Sequence, residues 1–112
     1  MTTPKHLTPC PKHLTAAARR IWRQVTTDYL LEERHLGLLR LALEALDSAD
    51  EARHRIEADG SYIADRYGCL KVHPAIAVQR DARIAFARLS RELGLDLEAP
   101  TAPTRPPSRW HG

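Results

Sequence analysis

The chain has 112 residues, a formal net charge of +3, two cysteines and an aromatic share of 5%. This length indicates one domain whose core consists mainly of aliphatic side chains. No stretch approaches the roughly 20 apolar residues of a membrane span, and a proline-containing start with no apolar run argues against a secretory signal. We therefore expect a cytosolic protein with two free thiols.

Residues 1–13 are rich in proline, threonine and histidine, which predicts a flexible basic arm. Residues 1–23 together contain five basic residues and no acidic residue, whereas residues 28–59 contain nine acidic and four basic residues. A basic segment beside an acidic one can bind phosphate or the acidic helix of a second copy. A solvated surface of uneven charge is an equally open interpretation.

The first predicted helix covers residues 16–29, with Thr15 as its N-cap, because the threonine hydroxyl can accept a free backbone N–H of the first turn. Apolar side chains recur at spacings of three and four and therefore share one face. They are Ala18, Ile21, Trp22, Val25 and Tyr29. Arg19, Arg20 and Arg23 lie on the opposite side, which is either solvated or in contact with phosphate.

The second predicted helix covers residues 33–59 and ends at Gly60, a typical C-terminal cap. Its apolar arc is too broad for a helix buried on one side only, which predicts a further contact, either within the domain or with a second subunit. The leucines and alanines of this arc are Leu36, Leu38, Leu39, Leu41, Ala42, Leu43, Ala45, Leu46 and Ala49. We assign Leu38, Leu41 and Ala45 to a subunit interface.

Residues 61–73 break the helical period and predict a short β-hairpin or ordered loop, with Gly68 in the turn. The third predicted helix covers residues 74–93, with a proline at its first position and Gly94 as its cap. Its apolar face contains Ala75, Val78, Ala82, Ala85, Phe86, Leu89 and Leu93, and its opposite face contains Arg80, Arg83, Arg88 and Arg91. Ile84 lies among these arginines, as a lone surface residue or as a fourth subunit contact.

These elements predict an all-α fold: a three-helix domain over residues 14–97 with a long central helix, a short β-hairpin or loop before the last helix, and disordered termini. Residues 98–112 contain four of the eight prolines and predict a proline-rich, disordered tail.

Motifs of catalysis are not found in the sequence. It has no phosphate-binding glycine loop, no zinc-ligand spacing and no nucleophile elbow. The six histidines are scattered over every segment. We therefore predict no catalytic residues, no metal site and no cofactor.

Binding is the remaining activity, because basic side chains neutralise phosphates and release counterions whatever the base sequence. The candidate DNA contacts are Lys5, Lys12, Arg19, Arg20, Arg23, Arg80 and Arg83. A helix-turn-helix built from the first two helices would make the chain a small transcriptional regulator, although the second helix is too apolar for a recognition helix. A helical protein–protein module with no DNA role is a third interpretation.

Three segments together resemble the small subunit of tailed-bacteriophage terminases. PKHLTAAARRIWRQV (residues 11–25) is similar to the proline-led, tryptophan-bearing first helix of that family. LLEERHLGLLRLALEAL (residues 30–46) resembles its second helix. KVHPAIAVQRDARIAFARLSRELGLD (residues 71–96) resembles its most characteristic segment, a His-Pro before an alanine-rich helix that ends in Leu-Gly-Leu.

The resemblance implies a non-catalytic adaptor for viral DNA packaging in the cytoplasm of the infected bacterial host. Such a protein assembles as a homo-oligomeric ring, binds double-stranded viral DNA and presents it to the large terminase subunit, which holds the ATPase and nuclease. The resemblance further implies a helical hairpin of helices one and two, DNA contacts from the basic arm and arginine faces, and a tail that contacts the large subunit or the portal. Because no segment is long and apolar enough to span a membrane, we also expect no membrane partner.

Overall fold

The computed structural model describes residues 8–94 and contains three helices and one β-hairpin within them. The elements in chain order are α1 (Ala16–Asp28), α2 (Glu33–Asp59), β1 (Tyr62–Ala64), β2 (Leu70–Val72) and α3 (Pro74–Leu93). This confirms the predicted all-α class, the long central helix and the short hairpin before the last helix. The predicted disordered tail lies outside the described residues.

Helix α1 begins where the sequence predicts, because the Thr15 hydroxyl accepts the backbone N–H of Ala18 at 3.2 Å. The backbone becomes extended at Tyr29, whose N–H still donates to the carbonyl of Val25. A short loop then leads into α2. Because the start of α1 contacts the middle of α2 while its end is joined to the start of α2, the two helices form an antiparallel hairpin.

Helix α3 runs antiparallel to α2 along its length. At one end, the side chain of His73, just before α3, lies 2.9 Å from a carboxylate oxygen of Asp59, the last residue of α2. At the other end, Leu93 joins the core cluster that contains Leu39 and Leu43. The two helices approach each other closely because several buried positions between them are alanine. These are Ala42, Ala49, Ala52, Ala75 and Ala82.

The core lies where all three helices meet. Leu39 and Leu43 of α2 are its largest fully buried side chains, and α1 covers them with Ala18, Trp22 and Val25. The segment before α1 also takes part, since Leu14 is buried and Cys10 packs against the cluster. Residues 8–13, assigned to the arm from sequence, therefore contact the domain where the structure describes them.

The β-hairpin connects α2 to α3 with Ile63 opposite Lys71. Its turn has Gly68 at a φ of +82°, a left-handed conformation that favours glycine. One carboxylate oxygen of Asp65 accepts the backbone N–H groups of Tyr67 and Cys69, at 2.8 and 2.9 Å. These bonds fix the turn locally.

Candidate nucleic-acid and subunit interfaces

The outer face of α1 presents two exposed arginines. Arg20 and Arg23 are exposed, on the side of the helix opposite the buried Ala18, Trp22 and Val25. Neither forms an ion pair with any residue in the range 8–94. Their guanidinium groups are therefore available to a phosphate, and a guanidinium can bind a phosphate in a bidentate manner.

Arg19 has a different environment from its two neighbours. Its Nε donates to the carbonyl of Leu14 at 3.1 Å, and its Nη2 donates to the carbonyl of Lys12 at 2.6 Å. The side chain of Arg19 therefore fastens residues 12–15, the lead-in segment before α1, to the helix. Lys12 is exposed in the turn before the helix, whereas Lys5, the remaining candidate of the arm, lies outside the described residues.

The N-terminus of α1 already holds a negative charge. Asp47 of α2 accepts the backbone N–H of Thr15 at 3.0 Å and the Thr15 hydroxyl at 2.6 Å. Helix N-termini attract anions because their first N–H groups are unpaired and the helix dipole is positive there. Since Asp47 occupies this position, a phosphate would contact the side of α1 rather than its end.

Helix α3 presents a second basic face. Arg80 and Arg83 are exposed, and Arg80 lies 3.5 Å from the carboxylate of the adjacent Asp81. Arg83, Arg88 and Arg91 form no ion pair among the residues that the structure describes. Within residues 8–94, the arginines of this face therefore have little compensation from carboxylates.

The arginines of the second half of α2 are compensated within their own helix. Arg53 pairs with Glu57 at 3.1 Å, and Arg55 pairs with Glu51 at 3.3 Å, both at a spacing of four residues. Exposed pairs of this kind add little stability, but they neutralise charge locally. Among the described helices, the basic faces are therefore those of α1 and α3, while α2 is neutral to acidic.

Glu44 of α2 connects the lead-in segment to the central helix. Its carboxylate lies 2.7 Å from Nε2 of His13 and 3.1 Å from Nη1 of Arg40. Burial is the largest single influence and by itself raises the pKa of Glu44. Hydrogen bonds and positive charge from His13 and Arg40 outweigh it, so that the pKa lies below the ordinary value of a glutamate.

The predicted subunit residues have different exposures. Leu41 on α2 is 43% exposed and Ile84 on α3 is 50% exposed. Leu38 and Ala45 are half-buried, and Leu38 also packs against the core. At about 100° per residue, Ile84 lies on the side of α3 opposite the buried Ala75. Leu41 and Ile84 are therefore exposed apolar side chains on two different helices, and we call the surface of Leu38, Leu41 and Ala45 the α2 patch and the surface at Ile84 the α3 patch.

A third apolar surface, which was not predicted from the sequence, lies on the β-hairpin. Tyr62, Leu70 and Val72 share one face of the ribbon in the observed register, and Leu70 is 72% exposed. The available signal was the alternation of residues 70–72, where Lys71 separates two apolar residues and therefore points to the other face.

Residues 8–94 also bear on metal binding and membrane insertion. No group of three or more histidine, cysteine, aspartate or glutamate side chains in this range is arranged to hold a metal ion. Among the helices described, none combines the length and apolar character needed to cross a membrane.

The three helices and the single short hairpin define a small, predominantly helical protein with basic faces on its two outer helices. A family model described as "Phage terminase, small subunit" matches residues 16–106, which is well over half of the chain. The chain therefore belongs to the phage terminase small-subunit family, and this membership supports a role in phage DNA packaging. No curated protein and no solved structure matches it significantly.

Proposed function

We propose that this chain is a non-catalytic adaptor for viral DNA packaging, which oligomerises, binds double-stranded phage DNA and presents it to the large terminase subunit. It would act in the cytoplasm of the infected bacterial host. The observation that carries the DNA-binding part is the difference in arginine pairing: Arg20, Arg23 and Arg83 have no carboxylate partner among the described residues, whereas Arg53 and Arg55 do.

Binding of this kind neutralises backbone phosphates and does not read bases. It is strongest at low salt, because each neutralised phosphate releases condensed counterions. Lys5 and Arg19 remain candidate contacts, but Arg19 already has two donors engaged by backbone carbonyls. We therefore assign the principal contribution on α1 to Arg20 and Arg23, with Lys12, Arg80 and Arg83 as further phosphate contacts.

The test compares two double variants of the full chain on the same DNA duplex. Arg20→Ala with Arg23→Ala should weaken binding at low salt and lower the slope of log K against log salt by about 1.8, at about 0.9 per phosphate contact. Arg53→Ala with Arg55→Ala is the matched control and should leave the slope unchanged. An unchanged slope in the first variant would place the DNA contact elsewhere.

Oligomerisation is proposed from the two separate apolar patches on α2 and α3. A contact between two different surfaces of neighbouring copies is heterologous, and heterologous contacts generate rings when the rotation closes. In this proposal the patch of Leu38, Leu41 and Ala45 contacts the Ile84 patch of the next copy. Leu41→Glu or Ile84→Glu should then lower the mass measured by light scattering.

Leu30→Glu is the control for that experiment, because Leu30 is a leucine of the loop between α1 and α2, outside both patches. It should leave the mass unchanged. A wild-type protein that remains monomeric at tens of micromolar would contradict the oligomer.

Nucleotide hydrolysis by the purified chain, abolished by a point substitution, would contradict the non-catalytic role.

The helix-turn-helix alternative fits the surfaces less well. Helix α2 packs between α1 and α3, and Arg53 and Arg55 on its exposed side are already paired with carboxylates of the same helix, so α2 offers a major groove little unpaired positive charge among the described residues. A DNase footprint on a short palindrome, given by a dimer, would favour the regulator over the adaptor.

A further inference from the structure

An open groove of about 390 Å³ lies between the second half of α2 and the first turns of α3. The groove exists because two of its lining residues, Ala52 and Ala75, are buried alanines that leave space beside the helix pair. Val78 forms an apolar wall and is half-exposed. Glu51 and Arg55 contribute charged side chains to the lining.

The chain itself contains a segment whose chemistry suits this groove. Residues 100–106 read PTAPTRP, so that Pro100, Pro103 and Pro106 recur at every third position. A polyproline II helix has three residues per turn, and this spacing therefore places the three prolines on one edge. Proline-rich segments bind apolar grooves readily, because their conformation is restricted before binding and little entropy is lost.

The length of the chain beyond α3 also fits. Gly94 ends α3, and Ala75 lies 19 positions before it. A helix rises 1.5 Å per residue, which separates these two residues by about 28 Å along the axis. A polyproline II segment rises 3.1 Å per residue, so the nine steps from Gly94 to Pro103 would span about 28 Å in that conformation. A segment that runs back beside α3 therefore brings Pro103 level with Ala75.

The segment reaches the groove from the end of α3, so the docking is intramolecular. Because the segment is tethered, its effective concentration at the groove is of millimolar order, and a weak contact suffices.

We propose that residues 100–106 of the chain's own C-terminal segment dock in the groove between α2 and α3, with the proline edge against Ala52, Ala75 and Val78. The docking is independent of DNA binding. A partner that binds either the segment or the groove would therefore compete with this docking. Release of the segment would therefore accompany the binding of such a partner.

Photo-crosslinking in the full-length protein tests this arrangement. A photoreactive p-benzoylphenylalanine replaces Thr104, and the cross-linked peptides are mapped by mass spectrometry. We expect cross-links to the peptide that contains Ala75 and Val78. Val78→Lys should lower their yield about tenfold, equivalent to about 1.4 kcal/mol. Ala77→Lys, an exposed neighbour on another side of α3, should leave the yield unchanged.

A mixture of isotopically light and heavy chains, combined so that subunits exchange, distinguishes docking within one chain from docking between copies. Same-isotope cross-links are expected. Predominantly mixed-isotope cross-links would overturn the proposal in favour of a second copy, and cross-links outside the groove, or a yield unaffected by Val78→Lys, would also overturn it. Circular dichroism of Val78→Lys and Ala77→Lys confirms equal folding, and DNA affinity is measured separately, so failure here leaves the adaptor proposal standing.

Discussion

Asp47 of α2 binds Thr15, the residue that caps α1, with both oxygens of its carboxylate. The same threonine hydroxyl accepts the N–H of Ala18. Thr15 thus caps α1, and Asp47, 32 positions further along the chain, fastens this cap to α2. The start of α1, and with it the orientation of Arg20 and Arg23, is therefore fixed by the central helix.

Replacing Asp47 by alanine should lower the free energy of unfolding by about 1–2 kcal/mol, because the cap loses a charged acceptor and the inter-helix bonds. Urea denaturation measures the change. Asp50→Ala is the control, since Asp50 forms only a partly exposed pair with Arg53 of the same helix at 3.8 Å, and it should cost less than about 0.5 kcal/mol. Equal effects of the two substitutions would contradict the cap.

Two leucines of opposite exposure test the packing of the core. Leu39 is fully buried, whereas Leu30 in the loop between α1 and α2 is 85% exposed. Leu39→Ala should destabilise the domain by about 2–5 kcal/mol, since it leaves a cavity where three helices meet. Leu30→Ala should stay within about 0.5 kcal/mol. Thermal unfolding at one fixed protein concentration separates the two, and a mild effect at Leu39 would mean a loosely packed core.

Two glycines should respond to alanine in opposite directions. Gly37 lies inside α2, and a Cβ there would meet nothing within 4 Å, so Gly37→Ala should stabilise the protein by about 0.5–1 kcal/mol. Gly94 caps α3 at a φ of +77°, so Gly94→Ala should destabilise it by about 1–2 kcal/mol. Denaturant titration of both variants checks the sign, and effects of the same sign would contradict one of these conformations.

The lowered pKa of Glu44 predicts a pH-dependent contribution to stability. Its carboxylate is stabilised in the folded state by His13 and Arg40, so the contribution is present above the ordinary glutamate pKa of 4.5 and is lost as the pH falls through the lower, native value. Wild type and Glu44→Gln should therefore differ most near neutral pH and converge in acid. Unfolding free energies measured from pH 7 downward test this, and a constant difference would exclude Glu44 as the source.

The local signals in the sequence were sufficient for the elements themselves. Thr15, Gly60 and Gly94 mark helix ends because caps depend on backbone geometry within a few residues. The apolar spacing of Ala18, Trp22 and Val25 fixed which face of α1 is buried, since helical periodicity is a local property. The order of the segments was sufficient to suggest the family that the family model then matched.

Side-chain partners distant in sequence could not be predicted in this way. Nothing in the local sequence distinguishes Asp47 and Glu44 from the other acidic residues of α2, yet they bind Thr15 and His13. Arg19, Arg20 and Arg23 read as one basic face, yet only Arg19 is held by backbone carbonyls. Periodicity places a residue on a face of its own helix, but which element lies against that face depends on how the helices pack. That packing is set by the shape and volume of buried side chains from all three helices, so it was decided only in the tertiary structure.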